Sequence, residues 1–503
     1  MTNTFVAPSW RQSVVLFVAI LVCCAYFFPR WADWNQNSRF DLVIAMVDDH
    51  SLTIDKYVAN TGDYAYFDGH YYSDKAPGMA FFGAPIYAAF RALVPATVAA
   101  RLAVTHNPAL GATLRTPGAE PEPESAYFFL ALALTTFLVV AVPSAALGVV
   151  FLRMAGLFGL TRRQSLAATV LYALATIAFP YANAFIGHQT SAVLLFAAFA
   201  LLFAIRRAAL SRLWIVAAGF LLGLAAITEY PTVLIGAVVG LYALLTLARP
   251  RDTLIRLAVG AAPALLMLAA YDYATFGTLL PVGYAYSPLW ADVHRVGFLS
   301  LTYPRPDALW GITFSAHRGL FFLSPFLLFA VPGYFRLWQK RDRRAEFWVL
   351  LLAPLSFFFF NASSAMWDGG FAVGPRYLVP SLPFLAIAAG IGISRAWSRS
   401  LLRPIVALTV AWSLLAVSAE TIAGQSFPDY TANPLFDLSL PTLAAGDIAR
   451  NVGMVFGLAG FASLAPLILL LAIALSLVAR SEKTPLSTIA NRPNLVRDAR
   501  APS

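Results

Sequence analysis

Long apolar runs alternate with short basic segments along almost the whole chain. Many of the runs have roughly 17–25 residues, the length that an α-helix needs to cross a bilayer. The pattern predicts an all-α polytopic membrane protein with about twelve transmembrane helices. The predicted spans lie near residues 13–29, 126–152, 164–180, 188–206, 213–229, 231–248, 257–275, 319–337, 346–361, 378–394, 404–420 and 455–478. The first run has no cleavage site of small residues after it, so we interpret it as a retained helix and not as a signal peptide.

Arginine-rich segments between these runs set the predicted orientation. Lysine and arginine concentrate in cytoplasmic loops, so all of the clusters should face the cytoplasm. Twelve spans then place both ends of the chain inside, provided that residues 30–125 stay wholly outside. The apolar stretch after Lys75 must therefore lie along the membrane surface or dip into it. The clusters are residues 153–163, 206–212, 249–256, 336–344 and 394–403.

Composition supports a membrane protein and limits the classes of partner that are expected. The 503 residues are 59% hydrophobic and only 12% charged, whereas soluble domains have about 25% charged residues. The net charge of +10 is explained by the cytoplasmic loops, and we expect no nucleic-acid partner. The two cysteines, Cys23 and Cys24, are adjacent in the first span, which argues against a disulfide or a cysteine metal site. Residues 1–480 are predicted to form one transmembrane domain, followed by a disordered cytoplasmic tail at 481–503.

The polar residues are distributed unevenly. All six histidines fall on the predicted outer side or its membrane boundary, together with most of the aspartates and tyrosines. They lie in three large outer segments, 30–125, 276–318 and 421–454. A transporter places polar groups in interrupted helices near the membrane midplane instead. The distribution favours chemistry at the outer surface of the plasma (inner) membrane.

The first outer segment contains two predicted surface helices with a polar, aromatic stretch between them. "SRFDLVIAMVDD" has apolar residues at helical spacing, with Ser38 as a plausible N-cap and Arg39 near the start. A second surface helix is predicted over 79–97. Pro77 and Gly78 mark the change from loop to helix and hold Lys75 at the height of the lipid head groups. Lys75 could there meet a lipid phosphate, or it could be only an interfacial anchor.

The same segment resembles a known family. An arginine–aromatic pair at a helix start, a Tyr/Phe-rich turn and "YYSDKAPG" are similar to the first outer loop of GT-C superfamily glycosyltransferases that use lipid-carrier donors. Protein O-mannosyltransferases and lipid A aminoarabinose transferases are the similar groups. Residues 271–284, 317–325 and 367–384 resemble motifs of bacterial members. The resemblance implies a GT-C-like bundle in which Lys75 contacts the carrier phosphate.

One position departs from the family pattern. Relatives carry an acidic residue, which acts as the catalytic base, three positions before the arginine–aromatic pair, where this chain has Gln36. Asp33 at the end of the first span and Asp41 in the surface helix are the nearest carboxylates. We rank the two nearly equal, with Asp41 slightly ahead, and Asp55 is the next candidate.

The chemistry expected of this family needs cations beside the departing phosphate. Lys75 and Arg376 are the first candidates, and Arg318 lies similarly before another span. No metal and no cofactor are expected, since the lipid supplies an activated sugar and no metal-ligand spacing occurs. The residues expected to line the substrate cavity are Arg39, Tyr72, His188, His317 and Trp367.

The sequence therefore predicts an inverting glycosyltransferase. It would move a hexose or pentose from a polyprenyl-phosphate donor to a hydroxyl of a glycan, lipid or protein at the outer face, in contact with membrane lipids. The alternative is a lipid-linked-sugar transporter or flippase that performs no chemistry. The first outer segment distinguishes the two, because a flippase needs no carboxylate beside its phosphate-binding cation.

Overall fold

The computed structural model describes residues 10–28, 33–104, 109, 123–279, 283–424 and 427–482. Within these ranges the chain is mostly helical, and its named strands form one two-stranded sheet. Seven helices are long and apolar enough to cross a membrane, and a bent pair would make an eighth. The predicted class, an all-α polytopic membrane protein, is thereby confirmed.

The seven helices coincide with predicted spans, and three more predicted spans coincide with shorter apolar helices. The count of about twelve stays a prediction. The seven are Pro123–Leu157, Gly187–Arg206, Pro250–Phe276, Arg341–Ser363, Arg376–Trp397, Ser400–Ala423 and Gly460–Leu477. The shorter three are Trp10–Tyr26 (α1), Trp214–Thr228 and Tyr230–Thr246. The predicted tail lies outside the described residues from 483 onward.

Two predicted spans are interrupted. The segment predicted over 319–337 consists of Leu320–Leu323, a 3₁₀ segment Pro325–Phe329 and the helix Ala330–Gln339. Proline lacks the N–H that would continue the helix. The span predicted over 164–180 is the helix Arg162–Leu174 followed by the single turn Ala178–Tyr181.

Small residues let the spans pack closely. A side-chain carbon at Gly260 would lie 2.0 Å from the carbonyl oxygen of Val216, and one at Gly219 would lie 2.3 Å from that of Leu257. Only glycine fits where two backbones approach to this distance. Since lipid is as apolar as the helices, such close packing is a main source of association between them. The pair Trp214–Thr228 and Pro250–Phe276 is held together in this way.

The first outer segment begins with helix α2, Trp34–Ile44, which continues as a π-helical turn, Ala45–Asp49. The expected cap was wrong: Asp33 is the N-cap, and its side chain accepts hydrogen bonds from the N–H groups of Asn35 and Gln36. Ser38 lies inside the helix, with its hydroxyl 2.8 Å from that of Ser73. The helix is also buried all round, from Asn35 to Ile44. It is therefore enclosed by the protein instead of lying exposed along the membrane.

A short hairpin follows α2. Strands β1, Tyr64–Phe67, and β2, His70–Ser73, pair antiparallel, with Phe67 opposite His70. The turn residues Asp68 and Gly69 both have positive φ, as a two-residue type I′ turn requires. The register continues to Tyr64 opposite Ser73. This places the residues just outside the hairpin, Asp63 and Asp74, side by side.

The second predicted surface helix is α3, Gly78–Leu93, and the helix Ala96–Ala103 (α4) follows it after a bend of 77°. A side-chain carbon at Gly78 would lie 2.7 Å from the carbonyl oxygen of Ile227. The start of α3 is therefore pressed against the C-terminal end of the helix Trp214–Thr228. Shorter helices in the later outer segments are Ala291–His294, Pro306–Thr313, Leu440–Ala444 and Val452–Val455.

Candidate functional site

Lys75 is enclosed by two carboxylates at the open end of the hairpin. Its Nζ lies 3.0 Å from Asp63 Oδ2 and 3.2 Å from Asp74 Oδ1, and the lysine side chain is only 8% exposed. The ring of Tyr284 lies beside the ammonium, 5.3 Å from Nζ to its centroid. Trp290 Nε1 donates a hydrogen bond to Asp63 Oδ1 at 3.2 Å. Lys75 is thus a buried, paired cation and not an exposed anchor.

Burial and charge act in opposite directions on this cluster. Burial disfavours the charge on Lys75, but Asp63 and Asp74 outweigh it and raise the pKa of the lysine above its usual range. Burial would also raise the pKa of Asp63, yet Lys75 and the Trp290 hydrogen bond leave that pKa lowered. Asp74 lacks the tryptophan donor, and burial raises its pKa to about 6 even though Lys75 offsets part of the rise. Asp63 is therefore the principal counter-ion of Lys75.

A second buried ion pair holds the first outer segment against the membrane helices. Arg39 Nη2 lies 2.7 Å from Glu229 Oε1, and Arg39 Nη1 donates to the carbonyl of Ala76 at 3.1 Å. Arg39 Nε donates to Asn35 Oδ1 at 3.0 Å. His188 Nδ1 lies 3.5 Å from the same Glu229 oxygen. Arg39 and His188, both expected in the cavity, are brought together through Glu229.

Arg376 begins one of the spans and reaches the same region. Its guanidinium lies 5.4 Å from the ring centroid of Tyr377, and the edge of that ring meets His188. Arg376 Nε is buried and has no hydrogen-bond partner in the described part of the chain. Burial raises the pKa of Asp33, and the Arg376 charge offsets part of that rise. Lys75 and, to a smaller extent, Arg376 hold the pKa of Asp63 low. Lys75 and Arg376 thus both act on the charge of Asp63, and their convergence on a phosphate stays a prediction.

Asp33 lies at the boundary between this charge cluster and a cavity of about 610 Å³. We name this space the Asp33 cavity. Its wall combines polar groups near Asp33, including Asn37 and Asn60, with an apolar surface from the helix Pro123–Leu157. Burial raises the pKa of Asp33, although Arg376 offsets part of the rise. A carboxylate with a raised pKa beside an open space can accept a proton from a bound molecule.

Asp41 occupies a different environment. Its side chain is buried and does not line the Asp33 cavity. Oδ1 accepts a hydrogen bond from Asn60 Nδ2 at 2.8 Å, and Oδ2 has no partner in the described residues. Burial raises its pKa well above the usual range. The ranking of Asp41 slightly ahead of Asp33 is therefore not supported by its surroundings, because of the two carboxylates only Asp33 lines the Asp33 cavity.

The guanidinium of Arg318 donates its hydrogen bonds to backbone carbonyls of the protein. Its side chain is fully buried, and each guanidinium nitrogen donates to a backbone carbonyl. The acceptors are the carbonyls of His317, Asp368, Gly370, Phe427 and Pro428. This arginine joins three outer loops, and the structure argues against its predicted role as a phosphate ligand.

The remaining candidates lie in local clusters. Asp55 accepts the Tyr71 backbone N–H and lies 2.7 Å from His70, so it supports the hairpin. Tyr72 packs against Phe276, with ring centroids 5.5 Å apart.

His317 and Trp367 contact each other. Their ring centroids are 6.1 Å apart, and His317 Nδ1 lies 2.6 Å from the carbonyl oxygen of Thr431. Burial lowers the pKa of His317. This pair fixes the loop that carries Arg318, and neither residue lines the Asp33 cavity.

Sequence reasoning missed both carboxylates of the lysine cluster. The dipeptide Asp68-Gly69, flanked by alternating aromatic and polar residues, is a hairpin signal. A hairpin centred there pairs Asp63 with Asp74. The sequence thus contains a signal for the hairpin, whereas the resemblance to the family describes this stretch as an aromatic turn.

Fold and site together define a polytopic helical membrane protein with a buried charge cluster in its first outer segment. No family model matches the sequence, and no curated protein matches it. Among solved structures, ArnT from Cupriavidus metallidurans bound to undecaprenyl phosphate is 16% identical, with a TM-score of 0.44, over 93% of this chain and 72% of that chain. ArnT in the apo state is 17% identical, with a TM-score of 0.49, over 93% and 73%. At this identity and TM-score, activity has to be inferred from the side chains of the chain itself.

Proposed function

We propose that the protein is an inverting glycosyltransferase of the plasma (inner) membrane. It takes a sugar from a polyprenyl-phosphate donor and transfers it to an acceptor hydroxyl at the outer face of that membrane. The observation that carries the proposal is the position of Asp33. It borders an open cavity on one side, and on the other it lies in the field of Arg376 and near the Lys75–Asp63 pair. A base beside buried cations is the arrangement that transfer from a lipid phosphate requires.

The cations have capacity left for a phosphate. An ammonium has three donors, and the two carboxylates account for two of those of Lys75. Arg376 offers its unpartnered Nε and a planar fork that suits phosphate oxygens. Fixed donors that face a developing negative charge stabilise the transition state, and they do so most strongly where water is excluded. Lys75 and Arg376 would therefore act on the departing phosphate.

The transfer is a single displacement. The bond between the anomeric carbon and the phosphate oxygen breaks, and the phosphate keeps the electron pair. The acceptor oxygen forms the new bond from the opposite side of the sugar, and its proton passes to Asp33. Inversion at the anomeric carbon follows from attack on that side.

The test compares two matched substitutions in purified full-length protein. Radiolabelled polyprenyl-phosphate mannose, glucose and arabinose serve as donors, and total membrane extract from a deletion strain serves as acceptor. Asp33→Asn should lower transfer by about 10²–10⁴-fold, the range for loss of a general base. Asp41→Asn keeps the same buried size and should leave transfer within a few-fold.

The outcomes separate the alternatives. Transfer that survives Asp33→Asn and falls with Asp41→Asn would reassign the base. If the wild-type protein transfers none of these sugars but moves a fluorescent polyprenyl-phosphate sugar across vesicles, and Asp33→Asn does the same, the chain is a flippase.

A further inference from the structure

His188 lies at the start of the membrane helix Gly187–Arg206, where the protein encloses its ring. The side chain is only 5% exposed. The ring meets Tyr181 and Tyr377 edge-on, with centroids 6.0 and 5.6 Å away. These two contacts restrict rotation of the imidazole, so the fold sets the direction of both ring nitrogens.

One of the two nitrogens faces a carboxylate. His188 Nδ1 lies 3.5 Å from Glu229 Oε1. A side-chain carbon at Gly187 would lie 2.5 Å from that same oxygen, so the glycine leaves the space that the carboxylate occupies. A bare nitrogen lone pair would be repelled by a carboxylate oxygen, so the proton of a neutral ring belongs on Nδ1. Nε2 then carries a lone pair and can only accept a hydrogen bond.

The charges around His188 favour this neutral ring. The negative charge of Glu229 is already paired with Arg39, whose Nη2 lies 2.7 Å from Oε1. The charges of Arg376 and Lys75 also act on the imidazole. A second proton would therefore add a positive charge to a buried ring that already lies among three cations.

The other nitrogen has nothing to accept from. His188 Nε2 is buried and has no hydrogen-bond partner among the residues that the structure describes. A buried acceptor without a partner is costly and calls for a molecule that supplies the missing donor. The phosphate of a polyprenyl-phosphate sugar carries no proton at neutral pH and cannot supply one, whereas a hydroxyl can.

We propose that His188 is a positioning residue whose Nε2 accepts a hydrogen bond from a hydroxyl of the donor sugar. This inference rests on the proposed function, in which the donor phosphate lies at Lys75 and Arg376. Both cations act on the His188 ring, and the sugar is the part of the donor that is bonded directly to the phosphate. The sugar is therefore the nearest source of hydroxyl groups. A site built to bind one hydroxyl rejects analogues that lack it, so His188 would select against a deoxy or acylated sugar at that position.

The first experiment observes the imidazole directly and needs no sugar transfer. Full-length protein with isotopically labelled histidine is reconstituted in nanodiscs, and the Nε2 resonance of His188 is assigned by its absence from His188→Gln. Polyprenyl-phosphate mannose, glucose and arabinose are added in turn, with the sugar-free polyprenyl phosphate as control. At least one sugar donor should shift the Nε2 resonance, because a hydrogen bond to the lone pair changes the shielding of the nitrogen. The bare carrier should not shift it.

Two results would overturn the inference. One is a resonance that none of the sugar donors shifts, or that the bare carrier shifts equally. The other is a protonated Nε2 in the carrier-bound protein, since the nitrogen would then donate to the phosphate instead of accepting from the sugar.

The second experiment asks whether His188 selects one hydroxyl. His188→Met keeps a similar buried volume without the acceptor, and should lower kcat/KM for the most active donor by about 5- to 150-fold. Among monodeoxy versions of that donor, one should react equally well with the wild type and His188→Met, because the hydroxyl in question is already missing. An equal loss with every donor would show that His188 has only a structural role.

Thr190→Val is the matched control on the same helix. The Thr190 hydroxyl is buried and donates to the carbonyl of Val139 at 3.3 Å, so its removal should affect all donors alike. The two experiments also separate this inference from the proposed function. A wild-type protein in which a sugar donor shifts the Nε2 resonance, but which transfers no sugar, would contradict the transferase and leave the assignment of His188 intact.

Discussion

Replacement of Lys75 by methionine tests the centre of the site. Methionine keeps much of the side-chain volume but removes the charge that Asp63 and Asp74 share at 3.0 and 3.2 Å. Removing one partner of a buried ion pair typically costs about 3–5 kcal/mol. We therefore expect Lys75→Met to lower the free energy of unfolding by about that amount. A loss of activity in this variant alone would then not separate chemistry from folding.

A compensated variant separates the two effects. Lys75→Met combined with Asp63→Asn removes the lysine charge together with its principal counter-ion, and Asp74, whose pKa burial raises to about 6, can take up a proton, so this variant should regain most of the lost stability. Transfer should remain impaired by about 2–4 kcal/mol of transition-state stabilisation, or roughly 30- to 900-fold in rate. Thermal unfolding in detergent and initial transfer rates on the same preparation measure both quantities.

The control is another lysine of the same segment. Lys56 also pairs with an aspartate, Asp49, but its side chain is 69% exposed. Exposed pairs contribute only about 0–1 kcal/mol, so Lys56→Met should change neither stability nor rate appreciably. If Lys75→Met is as stable as Lys56→Met, the buried pair does not hold the fold. If the compensated variant transfers sugar at the wild-type rate, Lys75 does not act on the phosphate.

Two further predictions concern pH and topology. Burial raises the pKa of Asp33 and Arg376 offsets part of that rise, so Arg376→Gln should raise this pKa further. Because a base must be deprotonated, the acid limb of kcat/KM in the residual activity should then move to higher pH. An unmoved limb would show that Asp33 is not the titrating group. In an otherwise cysteine-free chain, Asp68→Cys should react with an impermeant maleimide on intact cells, whereas Arg341→Cys should react only after permeabilisation; the reverse pattern would invert the proposed orientation.

The membrane helices could be predicted because one physical requirement dominates them. In lipid, a spanning segment must be apolar and must satisfy its own backbone hydrogen bonds. Composition alone therefore located both ends of the helix Gly187–Arg206, and the C-terminal end of the helix Pro250–Phe276, to within a few residues. The interruption near Pro325 was missed, since the apolar run continues through it. Hydropathy reports burial and does not report helix continuity.

The site was harder to predict because it depends on contacts between distant segments. Lys75 and Arg376 could be proposed from their residue types and their positions beside spans. Arg318 looked equivalent, yet carbonyls from two later loops surround it. No local sequence pattern predicts that those loops fold around Arg318. Asp33 and Asp41 could not be separated from sequence, since the difference is which of them borders a cavity.

The contacts of Arg39 limit where the chain can accept an inserted residue. One guanidinium binds the start of α2, the carbonyl of Ala76 and Glu229 between two membrane helices. These hydrogen bonds, together with the close contact of Gly78 with the helix Trp214–Thr228, fix the spacing from Lys75 to the membrane helices. An inserted residue between 75 and 78 would therefore move the lysine away from its carboxylates. The hairpin turn at Asp68-Gly69 has no such neighbour, since a carbon added at Gly69 meets nothing within 4 Å. Insertions and fused tags should therefore be tolerated at that turn, which makes it a place to attach a reporter without disturbing the site.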